Sequence, residues 1–231
     1  MTETIEVILR MCPDNSSSLS GNSSRPPNFS KEEVFKNLLT TKDANTNITI
    51  LFDGDHKNHW IVKYPSVRVI QSTGGNGDES FKSQIMYIKF ANFNENTIIY
   101  ILEDDYLHKE GWPRILREGL GDLQPSFLKF NYVTLYDHKD KYTYPMYNAL
   151  VSKIAISDSI HWRTVPSTTN TFAMRYKTFL EDFDVHYSFL NRDHDKFLEL
   201  GRNKRLLGSC MPGYSTHCHK DYLSPCVNWK L

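Results

Sequence analysis

The sequence has few cysteines, no long hydrophobic run, no basic leader at its amino terminus and no excess of charge of either sign. Its four cysteines in 231 residues are too sparse for a disulfide scaffold and fit reduced thiols. No run approaches the roughly 20 apolar residues of a membrane helix, and the first residues carry acids where a secretory signal carries bases. We therefore expect a cytoplasmic protein with no membrane span.

The balance of charge removes one further class of function. Lysine plus arginine equal aspartate plus glutamate at 27 each, so net charge gives no general attraction to nucleic acid or to anionic lipid. Nucleic acid is not an expected partner, and any function that depends on charge must reside in a local cluster. With 39% hydrophobic and 13% aromatic residues, the chain can bury one sizeable core. We expect a single domain over residues 1–231.

The first half of the chain alternates apolar, β-branched runs with helical patterns. Ser30, followed three residues later by Glu33, is typical of a capping box at a helix start. This alternation predicts an α/β fold with a mostly parallel central sheet flanked by helices. The predicted strands span residues 4–11, 47–55, 67–72 and 98–105, and the predicted helices span residues 31–39 and 79–92.

Polar and acidic segments follow each of these strands, at residues 12–15, 53–55, 73–78 and 103–105. In open α/β sheets, ligands bind beyond the carboxyl ends of the strands. We therefore expect the four segments to converge on one edge of the sheet. The glycine-rich segment 73–78 lacks the Gly-Lys-Ser/Thr ending of a P-loop; it either turns the chain or lets the backbone approach a nucleotide.

The second half is richer in aromatic residues and predicts more antiparallel structure. A short strand followed by a helix is expected within residues 171–190, and the tail from Cys210 onward is expected to have no regular structure. Helices are also predicted at residues 111–123 and 192–202, and antiparallel strands or a long hairpin at residues 127–138 and 143–156.

Three consecutive acids, Glu103, Asp104 and Asp105, end a strand that is otherwise apolar. Like charges at this spacing repel one another, and a divalent cation is an economical way to neutralise them. Mg²⁺ and Mn²⁺ prefer oxygen ligands and commonly bridge carboxylates to substrate phosphates. The alternative is a solvated loop whose acids merely follow the strand. Burial of the strand would favour the metal, because it would hold the acids rigidly.

With its neighbours in the chain, the triplet resembles the GT-A-fold glycosyltransferases, particularly the inverting family-2-like enzymes, and is also similar to small viral-type glycosyltransferases. The matching pieces are EVILRMCPDN, ITILFDGD and IIYILEDD, with a helix before the last, over about residues 4–110. The resemblance implies a GT-A sheet and a smaller antiparallel sheet on the acceptor side. It divides the domain into a nucleotide-sugar half, residues 1–110, and an acceptor half, residues 111–231, with a metal and diphosphate loop near its end.

The resemblance also implies roles for the acids. Asp105 would ligate the metal directly, Asp104 would lie near the sugar, and Glu103 would contact the ribose or a metal-bound water, or ligate the metal. Glu103 departs from the aspartate usual at its position. Asp53 or Asp55 would accept a hydrogen bond from the nucleobase, although Asp-Gly is also a common turn dipeptide. The remaining nucleotide-sugar contacts would come from Arg10, Lys82 and Lys220.

The acceptor half would complete the site. The resemblance implies a late histidine on the metal, His217 or alternatively His219, and a carboxylate that takes the proton of the acceptor hydroxyl. Asp193 matches that carboxylate best and Asp195 second, with Arg192 in place of the usual partner acid. Acids at a helix start are also favoured by the helix dipole alone.

A rival metal site is possible in the tail. Zinc would take its ligands there from Cys210, His217, Cys218, His219 and Cys226. Their spacing lacks the paired C-x2-C or H-x3-H form of structural zinc sites, so this alternative ranks lower.

The leading interpretation is a metal-dependent glycosyltransferase of the hexosyl or deoxyhexosyl type. It would move a sugar from a nucleotide-diphosphate sugar, with UDP favoured, to a glycan hydroxyl with inversion. A nucleotidyltransferase of similar fold is one alternative, although it would normally carry a glycine-rich basic loop where residues 15–25 have one glycine. A non-catalytic module that binds carbohydrate or sugar nucleotide is the other.

Overall fold

The computed structural model describes residues 2–13 and 24–230, so much of the loop after the first strand lies outside the described residues. The strands are β1 Ile5–Met11, β2 Thr46–Asp53, β3 Arg68–Ser72, β4 Ile98–Glu103, β5 Tyr106–His108, β6 Tyr132–Thr134, β7 Ile154–Ile156, β8 His161–Thr164, β9 Phe172–Arg175, β10 Leu207–Met211 and β11 Ser215–His217. The helices are α1 Lys31–Thr41, α2 Gly77–Phe90, α3 Trp112–Gly119, α4 Asp140–Thr143, α5 Tyr176–Glu181, α6 Phe183–Phe189 and α7 Asp193–Arg202.

Within these residues, nine strands form one sheet in the order β3-β2-β1-β4-β9-β6-β10-β8-β7. The pairs β1–β2, β1–β4 and β2–β3 are parallel. β9 is antiparallel to both of its neighbours, and so is β8. In the described part of the sheet, only those two strands run against the others. The prediction of a mostly parallel central sheet is confirmed, and β5 with β11 forms the smaller antiparallel sheet.

Helices cover both faces of the central strands. β4 is apolar at every position before Glu103 and is buried, as expected of a strand enclosed on both sides. Its alternate side chains enter two cores, with Tyr100 and Leu102 in one and Ile99 and Ile101 in the other. α1 and α3 pack on the first core, and α2 packs on the second. Both faces of the strand that ends in the acids are therefore fixed. No helix of the described residues is both long and apolar enough to cross a bilayer.

Of the two alternatives for residues 127–138 and 143–156, the long hairpin is wrong, although each segment does hold a short strand that pairs antiparallel to another strand. β6 pairs instead with β9 and β10, and β7 pairs with β8. Residues 140–147 form short helical turns. Pro145 has no N–H for a strand ladder, and the helical turn lets the Tyr142 hydroxyl donate to Asp137 at 2.8 Å. Local polar contacts therefore override the alternating aromatic pattern.

The expectation of an irregular tail from Cys210 is wrong for two short stretches. Cys210 and Met211 end β10, an interior strand between β6 and β8, and Ser215–His217 forms β11, whereas residues 218–230 form no helix or strand. β10 can pack closely against Phe130 because residue 208 is a glycine. A Cβ at that position would lie 2.5 Å from the ring of Phe130. Gly208 within the strand and Pro212 directly after it hide this strand in the sequence, because glycine and proline are depleted from strands in general.

Two helix bounds also differ from the expectation. α2 begins at Gly77, because Asn76 accepts a hydrogen bond from the Glu79 N–H at 3.0 Å and caps the helix two residues early. α3 ends at Gly119 rather than at residue 123. The Ser30 cap of α1 is confirmed, since its hydroxyl accepts from the Glu33 N–H at 3.4 Å.

Candidate active site

A cavity of about 550 Å³ opens at the carboxyl ends of β1, β2 and β4. That volume falls within the ~300–1,000 Å³ usual for ligand pockets. Parallel pairing places the ends of the three strands side by side, and the wall of the cavity therefore gathers residues that are distant in sequence. Among the residues expected at this edge, it brings together Arg10, Asp53, Glu103, Asp104 and Asp105.

The first two acids of the triplet each bind a cation from another part of the chain. Arg10 lies opposite Glu103 in the β1–β4 pairing, and its guanidinium forms a salt bridge with the Glu103 carboxylate. Lys31, in the first turn of α1, places Nζ 2.8 Å from Oδ2 of Asp104, and the Cys12 N–H donates to the same oxygen at 3.1 Å. Burial raises the pKa of Glu103 and of Asp104 more than these cations lower it.

Asp105 is held differently. Nη1 of Arg25 lies 2.8 Å from its Oδ2, and Nε2 of His217 lies 2.9 Å from the same oxygen. The small sheet brings His217 there, because β11 pairs His217 with Tyr106 and the two rings stack 5.2 Å apart. Burial raises the pKa of Asp105, but His217 and Arg25 outweigh it and hold that pKa below its usual range. Burial lowers the pKa of His217, yet the Asp105 carboxylate raises it overall.

One oxygen of Asp105 has no partner. Asp105 is 7% exposed and lines the cavity, and its Oδ1 has no hydrogen bond to any residue in the described part of the chain. An ionised carboxylate oxygen left unpaired in a buried place costs free energy. Oδ1 is therefore a buried acceptor beside this cavity whose hydrogen-bonding capacity no described residue uses.

Asp53 binds the glycine-rich segment. Its two carboxylate oxygens accept from the N–H groups of Gly74 and Gly75, each at 2.8 Å. Gly75 has φ +71°, a conformation that a side chain would strain. Gly77 then approaches the cavity closely and accepts from Arg10 at 3.0 Å. The segment is thus a turn closed by Asp53, and its backbone also forms part of the cavity wall.

Comparison with known proteins finds similarity at the level of structure alone. No family model and no curated protein matches the sequence. A CMP:2-keto-3-deoxy-manno-octonic acid synthetase complexed with CTP matches with a TM-score of 0.53 and 15% identity, over 91% of this chain and 92% of that one. The galactosyltransferase LgtC, in complex with donor and acceptor sugar analogues, matches with a TM-score of 0.50 and 8% identity, over 84% and 69%.

This chain has a GT-A-type fold. The neighbours include a sugar transferase and an enzyme that carries CTP, so the fold alone does not choose between glycosyl and nucleotidyl transfer. The cavity of this GT-A-type sheet lies at the strand ends, where such sheets bind their ligands.

Asp193 lies beside the cavity, at the start of α7. Its carboxylate accepts from the N–H groups of Thr168 at 2.8 Å and Asn170 at 3.1 Å. The Asn170 amide in turn donates to Oδ1 of Asn191 at 2.9 Å, and Asn191 lines the cavity. Burial raises the pKa of Asp193. Asp195, by contrast, is exposed, 3.9 Å from the Arg192 guanidinium.

Sequence reasoning missed Lys196, which lies one turn further along α7. Lys196 is 0% exposed, its Nζ donates to Oδ1 of Asn170 at 2.8 Å, and it lies 3.9 Å from the ring centroid of Phe81. Burial lowers the pKa of Lys196 to about 7, although the Asp193 carboxylate opposes this shift. Its place in the hydrophilic stretch RDHDK gives no sign of burial.

Arg25 and Lys31 were missed for another reason. Both line the cavity and face the acids, but neither follows a predicted strand. The acidic triplet was itself a sequence signal for nearby basic side chains. Three acids fixed by a buried strand require compensating positive charge, and the chain itself can provide that charge. Proximity in sequence does not identify which cations provide it.

Seven sequence candidates lie outside the lining of the described cavity: Asp193, Asp195 and His217, which are described above, and Asp55, Lys82, Lys220 and His219. Asp55 is exposed and accepts from the Lys57 N–H at 2.9 Å, which closes a turn. Lys82 lies on α2, 3.7 Å from Glu79. The exposed Lys220 donates its backbone N–H to Ser24. The ring of His219 packs on Tyr222 with centroids 4.7 Å apart.

Within residues 2–13 and 24–230, no three or more His, Cys, Asp or Glu side chains converge in an arrangement that could hold a metal ion. The rival zinc site is not assembled, because Cys210 and Cys218 belong to separate cores and Cys226 is exposed. Asp105 and His217 are in direct contact, however, and Oδ1 of Asp105 has no partner among the described residues.

Proposed function

We propose that this protein transfers a sugar from a nucleotide-diphosphate sugar to a hydroxyl group of a glycan. The observation that carries the proposal is the cavity in which residues 103–105 meet Arg10, Arg25 and Lys31 at the strand ends of a GT-A-type sheet. Guanidinium groups recognise phosphate oxygens with two parallel hydrogen bonds, and a lysine adds a compact charge. A diphosphate suits such a wall better than a neutral ligand does.

The proposal includes Mg²⁺ or Mn²⁺ at Asp105 and His217. Oδ1 of Asp105 is buried and lacks a partner among the described residues. Oδ2 lies 2.9 Å from Nε2 of His217, so these two side chains are the ones that would hold the ion. Carboxylate oxygen with imidazole nitrogen suits Mn²⁺. Such an ion supplies Lewis-acid stabilisation of the departing diphosphate. Glu103, already paired with Arg10, is assigned a supporting position.

Asp53 is proposed to contact the nucleobase. Both of its oxygens accept from backbone N–H groups, and a carboxylate retains further lone pairs for another donor. The imide N–H of uracil is such a donor, so the proposal favours a UDP-sugar.

Asp193 is proposed as the base of an inverting transfer. Its raised pKa brings it closer to the value useful for proton abstraction near neutral pH. The carboxylate takes the proton of the acceptor hydroxyl as that oxygen bonds to the anomeric carbon. The bond from this carbon to the diphosphate breaks, and the nucleoside diphosphate leaves with the electron pair. The hydrogen bonds to Thr168 and Asn170 hold the carboxylate in position.

The experiment is a product analysis with a panel of sugar nucleotides, Mn²⁺ or Mg²⁺, and glycan acceptors. The wild-type protein should release nucleoside diphosphate, and Asp105→Asn should slow this release about 100-fold or more, equivalent to ~2.7 kcal/mol of transition-state stabilisation. Asp122→Asn, at an exposed site on the loop after α3, is the matched control and should match the wild type.

Two outcomes would contradict the proposal. Unchanged turnover in Asp105→Asn would remove the proposed metal site from the reaction. Release of pyrophosphate from a nucleoside triphosphate and a sugar phosphate, without release of nucleoside diphosphate from sugar nucleotides, would establish nucleotidyl transfer instead.

A further inference from the structure

Arg25 forms a salt bridge with Asp105, the carboxylate proposed to bind the metal. Its Nη1 lies 2.8 Å from Oδ2 of Asp105 and donates to the carbonyl oxygen of Cys218 at 2.9 Å. Its guanidinium also lies 4.7 Å from the ring centroid of Phe29. The Arg25 side chain is 15% exposed. This is a formed contact within the cavity rather than a surface ion pair.

The same carboxylate cannot serve Arg25 and a divalent ion equally. Oδ2 of Asp105 already accepts from Arg25 and from His217. An ion bound to this group would lie within a few ångströms of the guanidinium, and like charges at such distances repel strongly in a partly buried site. Entry of the ion and retention of Arg25 are therefore in competition.

Of the three cations that line the cavity among residues 2–13 and 24–230, Arg25 is the one whose backbone belongs to neither a strand nor an α-helix, and it is therefore the one placed to yield. Arg10 lies on a central strand and also binds the carbonyl oxygen of Gly77. Lys31 is fixed in the first turn of α1 and binds the carbonyl oxygen of Cys12 at 3.1 Å. Arg25 lies at residue 25 on the irregular segment 24–30 before α1, and it faces Asp105, whose Oδ1 is fully buried and has no partner among the described residues.

We propose that Arg25 is a resident counter-ion that holds Asp105 in the metal-free protein and exchanges with the divalent ion when the donor binds. This inference rests on the proposed function. Arg25 lines the same cavity as Arg10 and Lys31, so a guanidinium displaced from Asp105 remains within reach of the diphosphate. Arg25 would thus weaken binding of the metal ion on its own and strengthen binding of the metal ion together with the donor.

If this exchange occurs, Arg25→Gln should strengthen the binding of Mn²⁺ and weaken the binding of a nucleoside diphosphate. Apparent metal affinity is reduced by the fraction of protein whose site is open. If that fraction is at most about 10%, removal of the competitor should tighten Mn²⁺ binding about tenfold or more. Affinity for a nucleoside diphosphate should instead weaken, because the diphosphate loses a cation. In the wild type, metal and nucleotide should each tighten the binding of the other, and this reciprocal coupling should shrink in the variant.

The experiment is a titration of Mn²⁺ followed by the electron paramagnetic resonance signal of the free ion, without nucleotide and then with UDP. Arg25→Gln is compared with Arg25→Lys, which keeps a competing charge, and with Arg114→Gln, which removes an exposed arginine paired within α3. Circular dichroism confirms that each variant is folded. We expect tighter Mn²⁺ binding in Arg25→Gln alone, and its loss when Asp105→Asn is added.

The outcomes separate this inference from the proposed function. If Mn²⁺ binds the wild type through Asp105 but Arg25→Gln binds it equally or more weakly, the exchange is refuted and the metal site stands. If neither protein binds Mn²⁺ with or without UDP, both the exchange and the metal site are refuted, and the product analysis then decides the transfer reaction independently.

Discussion

Lys196→Met is the substitution with the clearest expected dependence on pH. The lysine is completely buried, and burial lowers its pKa to about 7 from an ordinary value of about 10.4. The folded protein therefore binds fewer protons than the unfolded chain between about pH 7 and pH 10. Stability must rise with pH across that window, because the cost of burying the charge disappears as the amine becomes neutral.

The magnitude follows from the two pKa values. A full pKa unit is worth ~1.4 kcal/mol, and integration of the two titrations gives a gain of about 2 kcal/mol between pH 6.5 and pH 8.5. Methionine retains apolar contact with Phe81 and Phe172 but does not titrate. It also loses the hydrogen bond to Asn170, which costs about 1 kcal/mol at every pH.

The assay is urea unfolding of both proteins at pH 6.5, 7.5, 8.5 and 9.5. The wild type should gain about 2 kcal/mol relative to Lys196→Met between the first and third of these values. Groups that do not interact with Lys196 titrate alike in both proteins and cancel in the difference, whereas the pKa of Asp193, which Lys196 lowers, rises in the variant. Lys129→Met, at an exposed position, should show no such dependence. Stabilities that run parallel for wild type and Lys196→Met would show that Lys196 titrates normally, and would refute the reasoning.

Two further predictions concern packing and charge. Gly119→Ala should lower the free energy of unfolding by about 1–3 kcal/mol, because its Cβ would lie 2.4 Å from Cη2 of the buried Trp162; an unchanged melting temperature would contradict the close packing. Lys31→Met should cost about 3 kcal/mol, since it leaves Asp104 without its cation. Adding Asp104→Asn should restore much of this loss in urea unfolding, and failure to do so would show that Lys31 stabilises the fold by other contacts.

The parallel half of the fold could be predicted from sequence because its signals are local. β4 is an apolar run up to Glu103, β1 is a mainly apolar run that carries Glu6 and Arg10, and Ser30 caps α1 as its spacing predicts. The region around β6 and the tail could not be predicted in the same way. There, short strands pair across large sequence separations, and Gly208 within β10 and Pro212 directly after it conceal a strand that tertiary packing stabilises.

The acids of the candidate site were predictable for the same reason, and their partners were not. Residues 103–105 are consecutive and follow a recognisable strand. Arg25 and Lys31 come from a different part of the chain, and only the folded structure shows that they meet the acids. Lys196 occupies a sequence context typical of a solvated helix start, yet it is buried by Phe81 and Phe172. Burial of a charge is decided by tertiary contacts that a local pattern does not contain.

The balance of charge in the cavity bears on how a donor would enter. Three acids are paired with Arg10, Lys31 and Arg25, so these groups sum to zero before any ligand binds. A diphosphate with about one negative charge on each phosphate would leave an excess of negative charge, and a divalent ion alone would leave an excess of positive charge. Together they restore neutrality, which costs least in a partly buried site. Under the proposed function, the balance among these six groups predicts coupled binding of metal and donor rather than tight binding of either ligand alone.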